Sequence, residues 1–257
     1  MPNTITAEDI RNELIRLAPF HHDIELPYGL RTHLPELSRR SVERTRLRTL
    51  VNHAFPSLLG VFGGSLQGLR VLDVGCNCGG FSFEAIKNGA AYVLGIDVVD
   101  HYLQQANFIK RVLQADGAHF KMLSADDIEK ETTGEFDLTL CLGILYHLEN
   151  PVLTMKKIAS VTQRAILVDT KVFRNPFVRG PAWLMNFPPG ENSDSKNVST
   201  SLWRKEAVCQ FTPNAAAVTS LLQFLGFSKV KQLEPKEKNL EKRYYQKKRV
   251  TFLAIRD

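Results

Sequence analysis

The sequence predicts an α/β protein with a Rossmann-like sheet of seven strands, mostly parallel, with helices on both faces and an antiparallel hairpin at the C-terminus. The first observation is that short apolar runs alternate with amphipathic stretches between about residues 70 and 170. The second is a glycine-rich turn, VGCNCGG, directly after the first run. The third is a pair of apolar runs joined by a charged loop near the end of the chain.

The period of the apolar residues places the elements of this core. The predicted strands are the apolar runs 70–75, 91–97, 118–125, 136–142 and 164–170. The predicted helices are the amphipathic stretches 79–88, 101–114 and 151–160. A last helix, beginning at Pro213 and ending at Gly226, leads to the hairpin strands SKVKQLEP and RVTFLAIR.

Residues 1–57 are predicted to form a helical extension or lid, and residues 58–257 the core. Thr6 is expected to cap a first helix that has Asp9 in its first turn, and an arginine-rich helix runs from about Ser38 to His53. Between them, His21 and His22 are candidate acceptor-binding residues. Adjacent residues on an extended chain point to opposite faces, so one of the two is expected to face the active site.

Composition limits the class of protein. The chain has 257 residues, 44% hydrophobic, and no apolar run near the ~20 residues that a membrane span needs. Its N-terminus has acids where a secretory signal would be basic, so we expect a soluble, cytoplasmic protein with no membrane partner. The 4 cysteines have neither metal-site spacing nor disulfide density, so neither a metal nor a disulfide is expected.

The turn VLDVGCNCGG carries the candidate cofactor site. A dinucleotide fingerprint would have glycine where this chain has Asn77, so pyrophosphate binding is disfavoured. Asp97 ends the next strand, where a carboxylate can accept hydrogen bonds from both hydroxyls of a ribose. Asp73, before the turn, suits a cationic ligand. These residues predict a nucleoside cofactor that carries positive charge.

The pattern D-x-G-C-x-x-G-G, followed by G-I-D, by Ser124-Ala125-Asp126 and by Phe136-Asp137, resembles the class I S-adenosylmethionine-dependent methyltransferases. The resemblance implies that the turn holds the methionine part of the cofactor, that Asp97 holds the ribose, and that the later landmarks meet the adenine and the transferred methyl. The cofactor-binding residues that it implies are Asp73, Gly75, Cys76, Asn77, Gly79, Asp97, Val98, Ala125, Asp126 and Leu142.

Methyl transfer from a sulfonium is an in-line displacement, in which a base is needed only when the acceptor must lose a proton. Tyr146 and His147, in GILYHLENP, are the candidate catalytic residues. His147 is either a general base or a structural histidine that bonds a loop carbonyl. Tyr146 either hydrogen-bonds the cofactor or the acceptor, or packs.

Residues 174–204 carry four prolines and little periodicity, and they follow a strand end at which α/β sheets bind ligands. We interpret this insertion as part of the acceptor pocket or its lid. The alternative is a disordered surface loop, which would leave several aromatic side chains in water. The candidate acceptor-binding residues of the insertion are Phe177, Trp183 and Trp203.

Four segments, FHHDIELPYG, GILYHLENP, TPNAAAV and KKRVTFLAIR, make the chain similar to the bacterial tRNA wobble-uridine 5-oxyacetate methyltransferase/carboxymethyltransferase family. The resemblance implies that Tyr146 and Arg249 lie near the donor. In those family members that use carboxy-S-adenosylmethionine, the matching arginine helps to read the extra carboxylate. Carboxymethyl-transferring members carry a lysine-bearing G-P-F segment and a longer N-terminal region, which RTHLPELSRR does not match. The ordinary donor, S-adenosyl-L-methionine, is therefore expected.

Three functions remain open. The leading one is a methyltransferase that acts on an oxygen or nitrogen atom of a small molecule. The second methylates or carboxymethylates a tRNA wobble uridine, since the net charge is +6 and basic residues cluster in SRRSVERTRLR and KNLEKRYYQKKR. Both clusters also suit a solvated helix face and a hairpin loop. The third is a non-catalytic regulatory subunit that binds the cofactor. A homodimer is an option that the sequence leaves open.

Overall fold

A computed structural model describes residues 5–34, 44–186, 209–234 and 242–257. The chain divides into two compact units, of which the described part of the first ends at Met122 and that of the second begins at Leu123. The predicted division after residue 57 stays a prediction. No helix in the described ranges is long and apolar enough to cross a membrane.

The first unit contains five helices and three strands within its described residues. They are α1 (Ala7–Leu17), α2 (Arg44–His53), α3 (Phe55–Val61), β1 (Arg70–Val74), α4 (Gly80–Lys87), β2 (Tyr92–Asp97), α5 (Asp100–Leu113) and β3 (Ala118–Met122). The second unit continues the alternation. Its described elements are α6 (Lys130–Thr133), β4 (Phe136–Leu142), α7 (Pro151–Val161), β5 (Thr162–Lys171), β6 (Trp183–Asn186), β7 (Gln210–Pro213), α8 (Ala215–Phe224), β8 (Lys229–Leu233), α9 (Lys242–Tyr245) and β9 (Arg249–Ile255).

The strands form a seven-stranded sheet in the order β3-β2-β1-β4-β5-β9-β8. The pairs β1/β2, β2/β3 and β4/β5 are parallel, whereas β9 pairs antiparallel with both β5 and β8. The central strands are buried runs of branched apolar residues, as a sheet covered on both faces requires. The predicted fold class, including its C-terminal antiparallel hairpin, is confirmed.

Helix α1 packs as part of the first unit. Its predicted N-cap is confirmed, because the N–H of Asp9 donates to Oγ1 of Thr6 and the Asp9 carboxylate accepts the N–H of Thr6. Leu14 is fully buried. At the last residue of the helix, Nε2 of Gln105 in α5 donates to the carbonyl oxygen of Leu17 at 2.6 Å. The extension is therefore bound to α5 by both apolar and polar contacts.

Two predicted boundaries were wrong, and in both cases a side chain that caps a turn decides the real one. Strand β3 ends at Met122 rather than at 125, because Oγ of Ser124 accepts the N–H of Asp126 and starts a 3₁₀ turn. Helix α8 begins after Pro213, which belongs to β7. The cap is Asn214, whose Oδ1 accepts the N–H of Ala217 at 2.8 Å.

The insertion at 174–204 is partly ordered into a strand, which its weak periodicity did not predict. Trp183–Asn186 pairs antiparallel with Gln210–Pro213 in a separate two-stranded sheet. A strand this short carries too few residues for its alternation to be visible in the sequence. Residues 187–204, among them the predicted acceptor residue Trp203, lie outside the described residues.

We expect Leu14→Ala to lower the free energy of unfolding by about 2–5 kcal/mol, since it removes a fully buried side chain and leaves a cavity. Urea denaturation followed by circular dichroism measures the change. Ile15→Ala is the matched control, because Ile15 is 48% exposed and its loss should change stability by less than about 0.5 kcal/mol. Equal effects of both variants would show that α1 does not pack against the rest of the unit.

Candidate functional site

The turn between β1 and α4 is tied to the neighbouring strand. The N–H groups of Gly75 and Cys76 both donate to the carbonyl oxygen of Ile96 in β2, at 2.9 and 3.0 Å. Asn77 follows in the left-handed region, with φ of 52°, a conformation that asparagine tolerates better than most residues. Its Oδ1 accepts the N–H of Cys78 at 2.8 Å. The chain thus leaves a strand and starts a helix within a few residues, held by main-chain bonds.

Asp97, at the end of β2, faces this turn in the first unit. Its Oδ2 accepts the N–H of Asn77 at 2.9 Å and its Oδ1 accepts the N–H of Val99 at 3.0 Å. Burial raises the pKa of Asp97, while these N–H groups oppose the rise. Each carboxylate oxygen keeps a further lone pair that can accept a ribose hydroxyl. Val98, next to it, is 53% exposed, so this edge is open to a ligand.

Asp73 lies at a buried position of β1 rather than on an open face. It is 1% exposed, and Oγ of Ser82 in α4 donates to its Oδ2 at 2.6 Å. Burial raises the pKa of Asp73 to about 7, although the Ser82 hydroxyl counteracts this effect. Asp73 therefore joins the strand to the first turn of α4. Its contact with a cofactor stays a prediction.

The extension reaches the same turn through His22. The side chain is buried, and its Nδ1 accepts the N–H of Gly80 at 3.2 Å. The N–H of His22 itself donates to Sγ of Cys78 at 3.4 Å. Burial, then the charges of His21 and Arg46, hold the pKa of His22 well below the usual value, so the ring is neutral. Acceptor binding by His21 and His22 stays a prediction.

In the second unit, the predicted adenine-facing residues lie on the 3₁₀ turn Ala125–Asp127. Ala125 is half-buried and Asp126 is exposed. Helix α7 holds the turn, since Oγ1 of Thr154 donates to the Asp126 carboxylate and Nζ of Lys157 donates to the Asp126 carbonyl oxygen. The turn is therefore held to α7 through Asp126, which is still partly accessible to a ligand.

Tyr146 and His147 share a 3₁₀ turn that follows β4, whose last residue is the buried Leu142. Their ring centroids are 3.9 Å apart. Two cations of the same unit flank the Tyr146 ring: Nζ of Lys171 is 4.4 Å and Cζ of Arg249 is 5.5 Å from its centroid. Two cationic side chains therefore lie beside the predicted catalytic turn.

A buried carboxylate, Asp169 in β5, holds Arg249 in place. Its Oδ1 accepts the Nε–H of Arg249 at 2.5 Å, and its Oδ2 accepts the hydroxyls of Tyr244 at 2.8 Å and Thr251 at 2.9 Å. Burial disfavours the guanidinium charge, but Asp169 outweighs this cost and the pKa of Arg249 lies well above its usual value. Nη2 of Arg249 has no hydrogen-bond partner among the described residues.

Sequence reasoning did not find Asp169, Lys171 or Ser82. The one available signal was an acid inside the apolar run AILVDTKV, since an acid in a buried strand requires a partner. Of the predicted acceptor residues in the insertion, Phe177 is 91% exposed and Trp183 is half-buried in β6. Their contact with an acceptor stays a prediction.

Comparison with known proteins finds a domain model and relatives to which the chain is similar. Residues 65–177 match the family model described as a methyltransferase domain. The tRNA U34 carboxymethyltransferase of Haemophilus influenzae (strain PittEE) is 26% identical over 178 residues, which are 68% of this chain and 50% of that protein. The ubiquinone biosynthesis O-methyltransferase of Aeromonas salmonicida (strain A449) is 27% identical over 144 residues, 53% of this chain and 59% of that protein. This chain thus spans about half the length of these relatives.

The fold has solved counterparts. The crystal structure of the N-terminal domain of EvdMO1, determined in the presence of SAH and D-fucose, superimposes with a TM-score of 0.71 at 17% identity. The superposition covers 100% of both chains. This likeness shows that the chain shares the fold of that structure, within which residues 65–177 match the methyltransferase domain model.

Proposed function

We propose that this protein transfers a methyl group from S-adenosyl-L-methionine to an oxygen or nitrogen atom of a small molecule. The observation that carries the proposal is the Asp97 carboxylate, which the N–H groups of Asn77 and Val99 hold at the end of β2. A carboxylate with two oxygens fixed in this way accepts a pair of neighbouring hydroxyls, such as those of a ribose. The methyltransferase domain match supports S-adenosylmethionine as the nucleoside.

The other donor contacts follow from the same assignment. The main chain of the turn approaches the methionine part of the donor, because glycine there leaves its peptide groups uncovered. We assign the adenine to the turn Ala125–Asp127. We also assign a contact with the donor to Leu142, the last residue of β4. The donor residues proposed in this way are Gly75, Cys76, Asn77, Gly79, Asp97, Val98, Ala125, Asp126 and Leu142.

In the reaction, a lone pair of the acceptor atom forms a bond to the methyl carbon while the carbon–sulfur bond breaks and its electrons return to sulfur. A phenol or alcohol acceptor also loses a proton, for which His147 is the proposed base. Lys171, beside the Tyr146 ring, stabilises negative charge on an acceptor at this turn, whereas the charge of Arg249 is balanced by Asp169. That charge distribution favours an oxygen acceptor that develops negative charge.

A tRNA acceptor is the second candidate. The name of one relative supports it, and so do three exposed residues: Tyr245 at the end of α9, and Lys247 and Lys248 between α9 and β9. The first basic cluster supports it less, because Arg46 is only 8% exposed. Arg39 and Arg40 of that cluster lie outside the described residues.

One incubation separates the candidates. The enzyme is supplied with methyl-labelled S-adenosylmethionine and an extract of a deletion strain, and the products are divided into small molecules and RNA. Label in the small-molecule fraction is expected. Label in tRNA, together with an altered nucleoside profile of tRNA from the deletion strain, would favour the tRNA reading. Calorimetric binding of the donor without label in either fraction would favour a regulatory subunit.

We expect Asp97→Ala to weaken binding of S-adenosylhomocysteine by about 1–3 kcal/mol, since ribose hydroxyls lose their acceptor. Isothermal titration calorimetry measures the affinity. The exposed Asp100 supplies the matched control, Asp100→Ala, for which affinity should stay unchanged.

Asp97 also holds the turn, so a second ligand separates the two effects. A 2′-deoxy analogue should lose affinity for the wild type but lose little more in Asp97→Ala, because both changes delete the same hydrogen bond. Fully additive losses would contradict the ribose assignment.

If His147 is the base, His147→Asn should reduce kcat by roughly 10²–10⁴-fold while donor affinity stays constant. The measurement is kcat as a function of pH, with the acceptor that the labelling experiment identifies. The acidic limb of the wild-type profile should disappear in the variant. A parallel loss of donor affinity and thermal stability would instead identify His147 as a structural residue.

A further inference from the structure

Helix α4, which follows the glycine turn, cannot cap its own N-terminus. The N-cap residue is Gly79, with φ of 80° and no side chain to accept a hydrogen bond. A Cβ at this position would lie 2.8 Å from ring atoms of both Phe120 and Phe83. The usual capping residues, serine, threonine and aspartate, are therefore excluded by packing.

His22 supplies the missing acceptor from outside the helix. Its Nδ1 accepts the N–H of Gly80, one of the N–H groups that have no partner within a helix. The ring also packs edge-on against Phe81, with centroids 5.1 Å apart. Gly80 must lack a side chain, since a Cβ there would lie 2.6 Å from Nδ1 of His22.

The main chain around His22 is equally fixed. Its N–H donates to Sγ of Cys78, and its carbonyl oxygen accepts Oγ1–H of Thr32 at 2.6 Å. The N–H of Ile24 donates to the same Thr32 hydroxyl at 2.9 Å. The imidazole is therefore held by the extension on one side and by Cys78 and Gly80 of the turn on the other.

We propose that His22 is a positioning residue for the methyl donor: its neutral imidazole caps α4 and thereby holds the turn from Cys78 to Gly80 in the shape that receives the donor. This inference rests on the proposed function, because it takes the turn to be the donor site. It assigns to the extension a part in donor affinity, exerted through main-chain geometry and without contact with the acceptor.

The bond defines the protonation state. Nδ1 must accept, so the ring proton is on Nε2, and a second proton on Nδ1 would face the N–H of Gly80 and break the bond. His21 and Arg46 surround the ring and disfavour its charge. The Cys78 thiol, whose pKa burial raises to about 12, is neutral. The carboxyl near the first turn of α4 is that of Asp73 in β1, which accepts the hydroxyl of Ser82.

Two substitutions separate capping from packing. In His22→Asn, Oδ1 takes the place of Nδ1 and cannot titrate, whereas His22→Leu keeps an apolar side chain without an acceptor. At about pH 8 we expect His22→Leu to bind S-adenosylhomocysteine roughly tenfold more weakly than the wild type, and His22→Asn within about threefold of it. His33→Asn, in the same extension, is the matched control for the substitution itself.

The dependence on pH distinguishes positioning from simple packing. The pKa of His22 lies well below its ordinary value, so wild-type affinity should fall once the pH drops below that lowered pKa, while the affinity of His22→Asn should not. The free energy of unfolding must also be compared between the wild type and His22→Asn, because Asp73 adds a pH dependence of its own. Its pKa is raised to about 7, so it stabilises the fold as the pH falls below 7. The wild type minus His22→Asn difference in unfolding free energy removes that contribution and should decrease below pH 6.5.

The outcomes are distinct. A folded His22→Leu protein with wild-type affinity, or a His22→Asn protein as weak as His22→Leu, would overturn the inference. If His22→Leu does not fold, the loss of pH dependence in His22→Asn decides, and an unchanged pH dependence would overturn it. A wild type that binds no S-adenosylhomocysteine at any pH would instead overturn the proposed function, and the inference with it.

Discussion

The first unit depends on how the chain passes from β1 into α4. The strand must end, the backbone must reverse, and a helix must begin, all within the residues Gly75 to Gly80. Every N–H exposed by this reversal needs an acceptor in a buried place. Ile96, Asp97 and His22 supply acceptors from outside the turn, whereas Oδ1 of Asn77 and the carbonyl oxygen of Cys76 supply acceptors within it. The conformation of the turn is thus held by neighbouring segments as well as by its own residues.

In the second unit, a buried charge requires a partner in the same way that the buried N–H groups of the turn require acceptors. Arg249 is 2% exposed, and such a guanidinium is tolerated only because Asp169 neutralises it. Tyr244 and Thr251 complete the hydrogen bonds of that carboxylate, which connects α9 and β9 to β5. The same arrangement keeps a cation beside Tyr146. The pairing of β5 with β9 and the electrostatics of the catalytic turn therefore both depend on the ion pair between Asp169 and Arg249.

Several features were predictable from local pattern alone. The alternation of apolar runs, the Thr6 cap and the acid at the end of β2 each depend on residues close together in the chain, and the structure confirms them. The end of β3 and the start of α8 were misplaced. Strand or helix propensity extends beyond the points at which Ser124 and Asn214 accept main-chain N–H groups. Boundaries are set by single hydrogen bonds, which a pattern averaged over a window does not resolve.

The sequence by itself determined the fold class, the position of the glycine turn and the acid expected to meet the ribose, since these follow from the period of apolar residues and from backbone needs within a few positions. Only the tertiary structure decided the hydrogen-bond partners of His22 and Asp169. His22 bonds a residue 58 positions away, and Asp169 bonds residues 75 to 82 positions away. A hydrogen bond depends on distance and direction in space, and residues so far apart in the chain acquire both only when the sheet and its connections have formed.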